Sequence, residues 1–599
     1  MSGFESRLRK TGWTITPVDG ACDNLTTTRL LRLISPKFPK VNVYSRIHMP
    51  PLGLLYVGAS VEKAGGWRVE IIEENNYRGE LNHEKLQEKE PADAVGFYVG
   101  LTSTAPRIYE LAKLYKKMGV RTMGGGSHVD ALPDEALANG IDVVVRGEGE
   151  FTSVEVLNAW FDGGSLDEVD GIAFRDEMGQ TKITKRRTPI HELDSLALPN
   201  FDQLKNLRYP INWMPISRTR GCNFSCEFCT VRDQQGKARS KSPERTYEEI
   251  ANLVERGSRN FFITDDNFAQ DRDGTVQLCR MITDLSKAKH IKLQFTVQLR
   301  AESARDDELM DAMWQAGVKI ICIGLESPIP EDLKTMRKGQ TVEGMERDIA
   351  AIRQAGFYIH GMFIFGYPNE EGNKTGLTLK ERANLYLDFI KRTRIDTIQI
   401  LKAVPIPGSK LAERLKKAGQ TYPLEDVGWD KYDGNFLCFE PKDDDPEELQ
   451  LEATRILKEF YRPVFLLKAI GLLPLLPFDI IVHRIRLARA KSAAIVQSKR
   501  LAAGRELETR RLAASKYIET KREIAGKHIE AGREAAARMI EHSRMAQVAR
   551  KSRLHRSFRN AIYRYGGSRI LSTWHRIANV KVFLEVLRKV KRSREVAMK

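Results

Sequence analysis

Three cysteines within eight residues limit what this 599-residue chain can become more than any other feature. They stand as Cys222, Cys226 and Cys229, spaced C-x3-C-x2-C, directly after the apolar run Trp213 to Ile216. Thiolates at that density serve a soft metal. Three of them suit an iron–sulfur cluster better than a structural zinc, which wants four protein ligands. No fourth Cys and no close His follows within the next forty or so residues. A [4Fe–4S] cluster on three thiolates keeps one iron open to a substrate. A three-Cys zinc loop and a passive electron-transfer cluster meet the same spacing.

The other four cysteines (Cys22, Cys279, Cys322, Cys438) are scattered and make no disulfide framework. With no secretory leader pattern, the expected compartment is a reducing cytoplasm. An open cluster is also oxygen-labile, which implies low-oxygen chemistry. The length leaves room for about three or four domains. The formal charge of +17 is unevenly spread. From Arg484 onward there are 31 Lys and Arg against 9 Asp and Glu, and before it 65 against 70. The basic character belongs to the tail, and charge segregated in this way points to a partner surface.

Up to about residue 190, strand-like runs alternate with amphipathic segments. The runs are Leu30–Ile34, Arg68–Ile72, Ala94–Gly100, Arg121–Gly124 and Ile141–Arg146. Helices are expected from Leu52 to Lys63, Ala105 to Met118 and Leu132 to Ala138, each closed by glycine. Such alternation predicts a parallel sheet wound with helices, with ligands at the C-terminal strand ends. After a linker around Leu196 to Asn200, six strand-then-helix units follow. Their strands are Trp213–Arg218, Asn260–Thr264, Lys292–Val297, Lys319–Gly324, Tyr358–Phe365 and Thr397–Val404. A capping box is expected at Thr246 to Glu249. Six such units predict a partial (β/α)6 barrel with its chemistry at the C-terminal strand ends.

With aromatic Phe228 before the third thiol, the cysteine motif resembles that of the radical S-adenosylmethionine (SAM) superfamily. The resemblance implies that the open iron chelates SAM, that an electron cleaves it to a 5′-deoxyadenosyl radical, and that Phe228 lies against the adenine. It also implies SAM contacts at the strand ends: Asp265 and Asp266, Glu326 toward the ribose or amine, and Gly366 where adenine approaches the backbone. Pro405-Ile406-Pro407-Gly408-Ser409 resembles the family's proline–glycine turn.

The first module resembles the cobalamin-binding domain of the B12-dependent class of that superfamily. The likeness rests on Met49 to Tyr56, Thr102-Ser103-Thr104, Gly124-Gly125-Gly126-Ser127-His128 and Arg146-Gly147-Glu148-Gly149-Glu150. It implies that Leu101 to Thr104 and Gly124 to Ser127 line the corrin and its nucleotide tail. Ser35 to Lys40 after the first strand holds no His. Either cobalt lacks a protein imidazole there, or no B12 binds at all and the cleft is emptied or given over to substrate. A lone His128 reads as a hydrogen-bonded structural residue, and His360 and Tyr432 as packing residues that could relay protons.

Past Pro446 the chain reads as helix. Val464 to Val482 is long enough to span a bilayer, but Lys468, Pro474, Pro477 and Asp479 interrupt it and favour the membrane interface. From Leu501 to Arg544 an eleven-residue repeat runs four times, with Leu507, Ile518, Ile529 and Ile540 at its seventh position. Eleven residues in three turns give a nearly straight helix with one apolar stripe. It suits an anionic membrane surface or self-association, and no base-reading motif supports nucleic acid.

The expected organisation is therefore α/β. An extension (1–29) precedes a Rossmann-like B12-binding domain (30–190) and a radical SAM core (191–440). An apolar helical segment (441–483) and a basic helical tail (484–599) follow. The resemblance implies an enzyme using a [4Fe–4S] cluster, SAM and cobalamin, fed electrons by a flavodoxin or ferredoxin. It would methylate or otherwise functionalise an unactivated carbon of a lipid, isoprenoid or tetrapyrrole, peripherally on the inner face of the membrane. A cobalamin-free cyclase or oxidase, or a non-catalytic membrane-associated iron–sulfur scaffold, are the alternatives.

Overall fold

The computed structural model describes residues 28–39, 49–370, 372 and 375–462. Up to Glu459 these belong to one compact unit. The first 27 residues, the apolar segment from Val464 and the repeats from Leu501 lie outside the described residues. No helix among the described residues is long and apolar enough to cross a membrane.

The first sheet has seven strands: β1 (Arg29–Ser35), β2 (Trp67–Glu73), β3 (Ala94–Tyr98), β4 (Arg121–Gly125), β5 (Val143–Val145), β6 (Ile172–Arg175) and β7 (Thr181–Ile183). Their order is β2-β1-β3-β4-β5-β6-β7, parallel from β2 through β5. The order reverses at β1, which places the ligand crevice at the β1/β3 strand ends. Alternation along β1 feeds two cores. Leu31 and Leu33 meet Leu54 and Leu55 of the helix Leu52–Ala64, while Leu30 and Ile34 meet Ile108 and Leu111 of the helix Ala105–Lys117. Each such side chain contributes about 1.5–3 kcal/mol by leaving water. Arg32, wholly buried between them, is tolerated because Glu70 (2.5 Å), Gln87 (2.7 Å) and the Glu90 carbonyl (2.6 Å) accept its donors.

The five parallel strands fall where alternation predicts them. The antiparallel β6 and β7 do not follow from the sequence, because strands of four and three residues are too short to show a period of two. The helix Gly149–Phe161 is likewise unforeseen, and its two buried neighbours Val156 and Leu157 give only a faint periodicity.

Burial pushes the Glu73 carboxyl up to about 7, against hydrogen bonds from Ser35 and Asn75 that pull it down. A carboxyl raised on folding holds its proton more tightly when folded, so stability falls as pH rises from about 4.5 through 7. Glu73→Gln is therefore expected to gain on the order of 2–3 kcal/mol over the parent at pH 8 and nothing at pH 4. Urea melts at the two pH values check this, and equal gains at both would exclude it.

The second sheet is wholly parallel, in the order β15-β14-β13-β12-β11-β8. Its strands are β8 (Met214–Ile216), β11 (Asn260–Ile263), β12 (Gln294–Leu299), β13 (Val318–Glu326), β14 (Tyr358–Phe365) and β15 (Thr397–Lys402). Between β8 and β11 runs a two-stranded antiparallel ribbon, β9 (Thr219–Arg220) and β10 (Arg239–Ser240). All six expected barrel strands are present. Phe363 and Phe365 pack on Tyr386 of the outer helix Leu379–Thr393, so His360, Met362 and Ile364 turn to the concave side.

The capping box expected at Thr246 to Glu249 is absent. The helix begins a turn earlier, at Pro243, where Ser242 Oγ accepts the Arg245 N–H (3.0 Å). A serine followed by proline at the first helical position is the stronger start. Thr246 bonds back to the Ser242 carbonyl, and Glu249 turns away to Lys241. A true capping box lies at Thr378 and Glu381.

Candidate cluster and cofactor site

The three cysteines sit on the loop that leaves β9 and returns through β10. Gly221 makes the exit at φ 79°, where a Cβ would lie 2.6 Å from the carbonyl oxygens of both Gly236 and Lys237. Only glycine lets the loop close this tightly on the ribbon. The Cys222 N–H donates to the Gly236 carbonyl at 3.2 Å.

Glu227, between Cys226 and Phe228, holds the other end. Its buried carboxylate takes both arms of Arg414 (2.7 and 3.0 Å) and the Tyr367 hydroxyl (2.7 Å). Arg414 also donates to the Pro368 carbonyl (2.8 Å), and Phe228 stands edge-on to Tyr367 at 6.4 Å. The cysteine loop is thus tied to the ends of β14 and β15 through one charged fork.

All three thiols are partly exposed. Burial pushes Cys226 up, opposed by the charges of Lys338 and Arg300, and pushes Cys229 up to about 12. Any metal must therefore displace protons, at a cost that falls as pH rises. No three His, Cys, Asp or Glu side chains converge on one point among the described residues. A cubane binds each thiolate through a different iron, and three thiols on one loop beside the cations Lys338 and Arg300 fit it.

The strand-end residues expected around SAM are divided. Asp265 is 1% exposed, and its Oδ1 accepts the Arg218 N–H (2.7 Å), so it serves the chain just before the ribbon. Asp266 is exposed beside it. Glu326 ends β13 with φ 62°, uncommon for a residue other than glycine, and accepts from Lys338 Nζ at 2.8 Å. Arg300 lies 3.8 Å over the Phe224 ring and donates to the Lys338 carbonyl (2.8 Å). Glu326, Lys338 and Arg300 thus share one wall with the cysteine loop. Gly366 instead faces the helix Pro446–Phe460, where a Cβ would come within 2.7 Å of Leu449.

In the first domain, Thr102, Ser103 and Thr104 form a buried 3-10 turn at the end of β3. Trp429 to Lys431 pack against it. Ile141 fills the space beside Gly124, while Gly125 meets nothing closer than 3.7 Å. Gly126 (φ 126°) lies so near the Val99–Gly100 peptide that a Cβ would sit 2.5 Å from it. Ser127 Oγ donates to the Gly100 carbonyl (2.8 Å), and Gln234 donates to the Ser127 carbonyl (2.9 Å). His128 is wholly buried against Tyr109 (3.1 Å) and the Trp429 ring (4.9 Å), as a structural histidine is.

Sequence reasoning missed Glu227, Arg414 and Trp429. Glu227 had a signal in its place inside the cysteine motif. Trp429, bonded to Glu135 at 2.7 Å across 294 residues, had none.

A doubly wound domain is followed by a partial barrel with a three-thiol loop at its rim, and the family matches fall on these two parts. The radical SAM superfamily model matches residues 216–381, and the B12 binding domain model matches residues 41–157. An uncharacterized methyltransferase of Pyrococcus horikoshii is 28% identical over 432 residues, covering 70% of this chain and 90% of the relative. Cytidylyl-2-hydroxyethylphosphonate methyltransferase of Streptomyces wedmorensis is 28% identical, covering 63% and 80%. Among solved structures, one that the fold resembles is the radical SAM methyltransferase TsrM of Kitasatospora setae, solved with cobalamin and a [4Fe–4S] cluster. It superposes with a TM-score of 0.54 at 19% identity, covering 65% of this chain and 78% of that one. The chain is a radical SAM enzyme with an N-terminal B12-binding domain, and its cofactors are a [4Fe–4S] cluster, SAM and cobalamin.

Proposed function

We propose that the enzyme transfers a methyl group to an unactivated carbon of a hydrophobic substrate, with domain boundaries near residues 190 and 440. Cys222, Cys226 and Cys229 hold the cluster. Phe228, Asp266 and Glu326 border SAM, Asp265 supports the strand beneath it, and Gly366 packs against Leu449 instead. Thr102 to Thr104 and Gly124 to Ser127 border the corrin. The observation that carries this reading is the three-thiol loop, knotted to both the barrel rim and the B12-binding domain.

When bound, the cluster and SAM supply radical chemistry and cobalamin supplies the methyl group. The chain's own residues position and shield. Lys338 and Arg300 offset the negative charge of the thiolates. On the concave face, Gln298, Cys322, His360 and Thr397 stand in one register row, with His360 Nδ1 2.9 Å from the Thr397 hydroxyl. Burial pulls His360 down to about 4, so its ring is neutral at physiological pH and offers hydrogen bonds without charge. The hydrophobic character of the substrate is inferred from the apolar segment and the basic repeats, which would lie along an anionic membrane. A polar substrate would suit the phosphonate-acting relative.

Anaerobic reconstitution with SAM, cobalamin and a reductant tests the reading. Release of 5′-deoxyadenosine, and corrin absorption that survives gel filtration, are expected. An intact cluster without 5′-deoxyadenosine would favour the scaffold. Absence of retained corrin bands would overturn methyl transfer.

A further inference from the structure

The Arg146-Gly147-Glu148-Gly149-Glu150 loop leaves β5, and Glu148 stands at the N-cap of the helix Gly149–Phe161 without capping it. Its carboxylate reaches out to the ribbon instead. Oε1 accepts from Arg220 (2.8 Å), and Oε2 accepts from Arg239 (2.8 Å) and from the Ile190 N–H (2.6 Å). Glu150 takes the other arm of Arg220 at 2.5 Å.

Arg220 and Arg239 are direct partners across the ribbon, an arrangement that repels unless acids intervene. The two acids are little exposed, 12% for Glu148 and 4% for Glu150, so water screens these charges weakly. The Arg220 guanidinium also lies 5.2 Å over the Tyr56 ring, which belongs to the same domain as the acids. Arg220 precedes Cys222 by two residues. The N-terminal domain thus supplies the counter-charges for the strand that carries the cysteine loop.

We propose that Glu148 and Glu150 are positioning residues through which the N-terminal domain sets the reduction potential of the cluster. Reduction adds one negative charge to the cluster. Nearby guanidinium groups favour it and nearby carboxylates oppose it, more strongly in a poorly screened site. Removing one carboxylate leaves Arg220 and Arg239 less compensated and makes reduction easier. This inference rests on the three cysteines holding a cluster.

The test is an EPR-monitored redox titration of the reconstituted full-length chain, with iron content and melting curves taken alongside. Glu150→Gln is expected to move the midpoint to less negative values, and Glu148→Gln to move it the same way by less. Arg239→Gln, which leaves Arg220 with both acids, is expected to move it to more negative values. Glu155→Gln, on the same helix but paired with Arg187, is expected to leave it unmoved. If the two Glu variants lose iron, the sign of the Arg239→Gln shift decides. Unmoved midpoints in the loaded variants, or an equal shift from Glu155→Gln, overturn the inference. A parent chain that assembles no cluster overturns the ligand assignment instead.

Discussion

Cys226→Ala is expected to abolish 5′-deoxyadenosine formation, a loss of at least about 10⁶-fold, the lower end of enzymatic rate enhancements. The size follows from the ligand count. Three thiolates are the fewest that can hold a cubane while leaving one iron open, so removing one takes away the cluster and not a fraction of its activity. The described chain supplies its own controls. Cys279 and Cys438 are free, buried thiols at 1% and 0% exposure. They behave as small apolar groups, so Cys279→Ala is expected to cost about 1 kcal/mol of stability and leave iron content unchanged. Iron and sulfide analysis with 5′-deoxyadenosine assays separates the two cases. Full product formation from Cys226→Ala would sink the assignment.

Arg414→Ala carries the second large effect. Glu227 would keep its carboxylate buried, with only the Tyr367 hydroxyl left from its side-chain partners. Breaking one side of a buried pair costs about 3–5 kcal/mol. Here the cost falls on the backbone between two cysteines, so cluster retention is expected to fall with stability. Glu227→Gln with Arg414→Met removes both charges and is expected to recover most of the stability, because no unpaired ion remains. A double-mutant cycle built from Glu227→Gln, Arg414→Met and their combination, on melting and iron content, reads the coupling. Additive losses would mean that the fork does not act as a unit.

The parallel strands of both sheets were legible because a strand buried on both faces is a continuous apolar run that ends in glycine or a polar turn. The cysteine motif was legible because its ligands lie within one loop. Glu227 was not read, although it stands inside that motif, since an acid between two cysteines has no meaning until Arg414 arrives from 187 residues away. Asp265 and Gly366 show the converse. Their places at strand ends were clear in the sequence, but only packing reveals that one bonds the Arg218 backbone and the other receives Leu449.

The sequence by itself determined the alternation of strands and helices, the three-thiol loop and the segregation of charge, all of which are local or periodic. The tertiary structure alone decided which acids answer which guanidinium groups. Arg220 finds Glu148 and Glu150 some seventy residues upstream, brought to it by the packing of one domain against the next. Electrostatic pairing acts through space, and distance through space is what a linear chain does not carry.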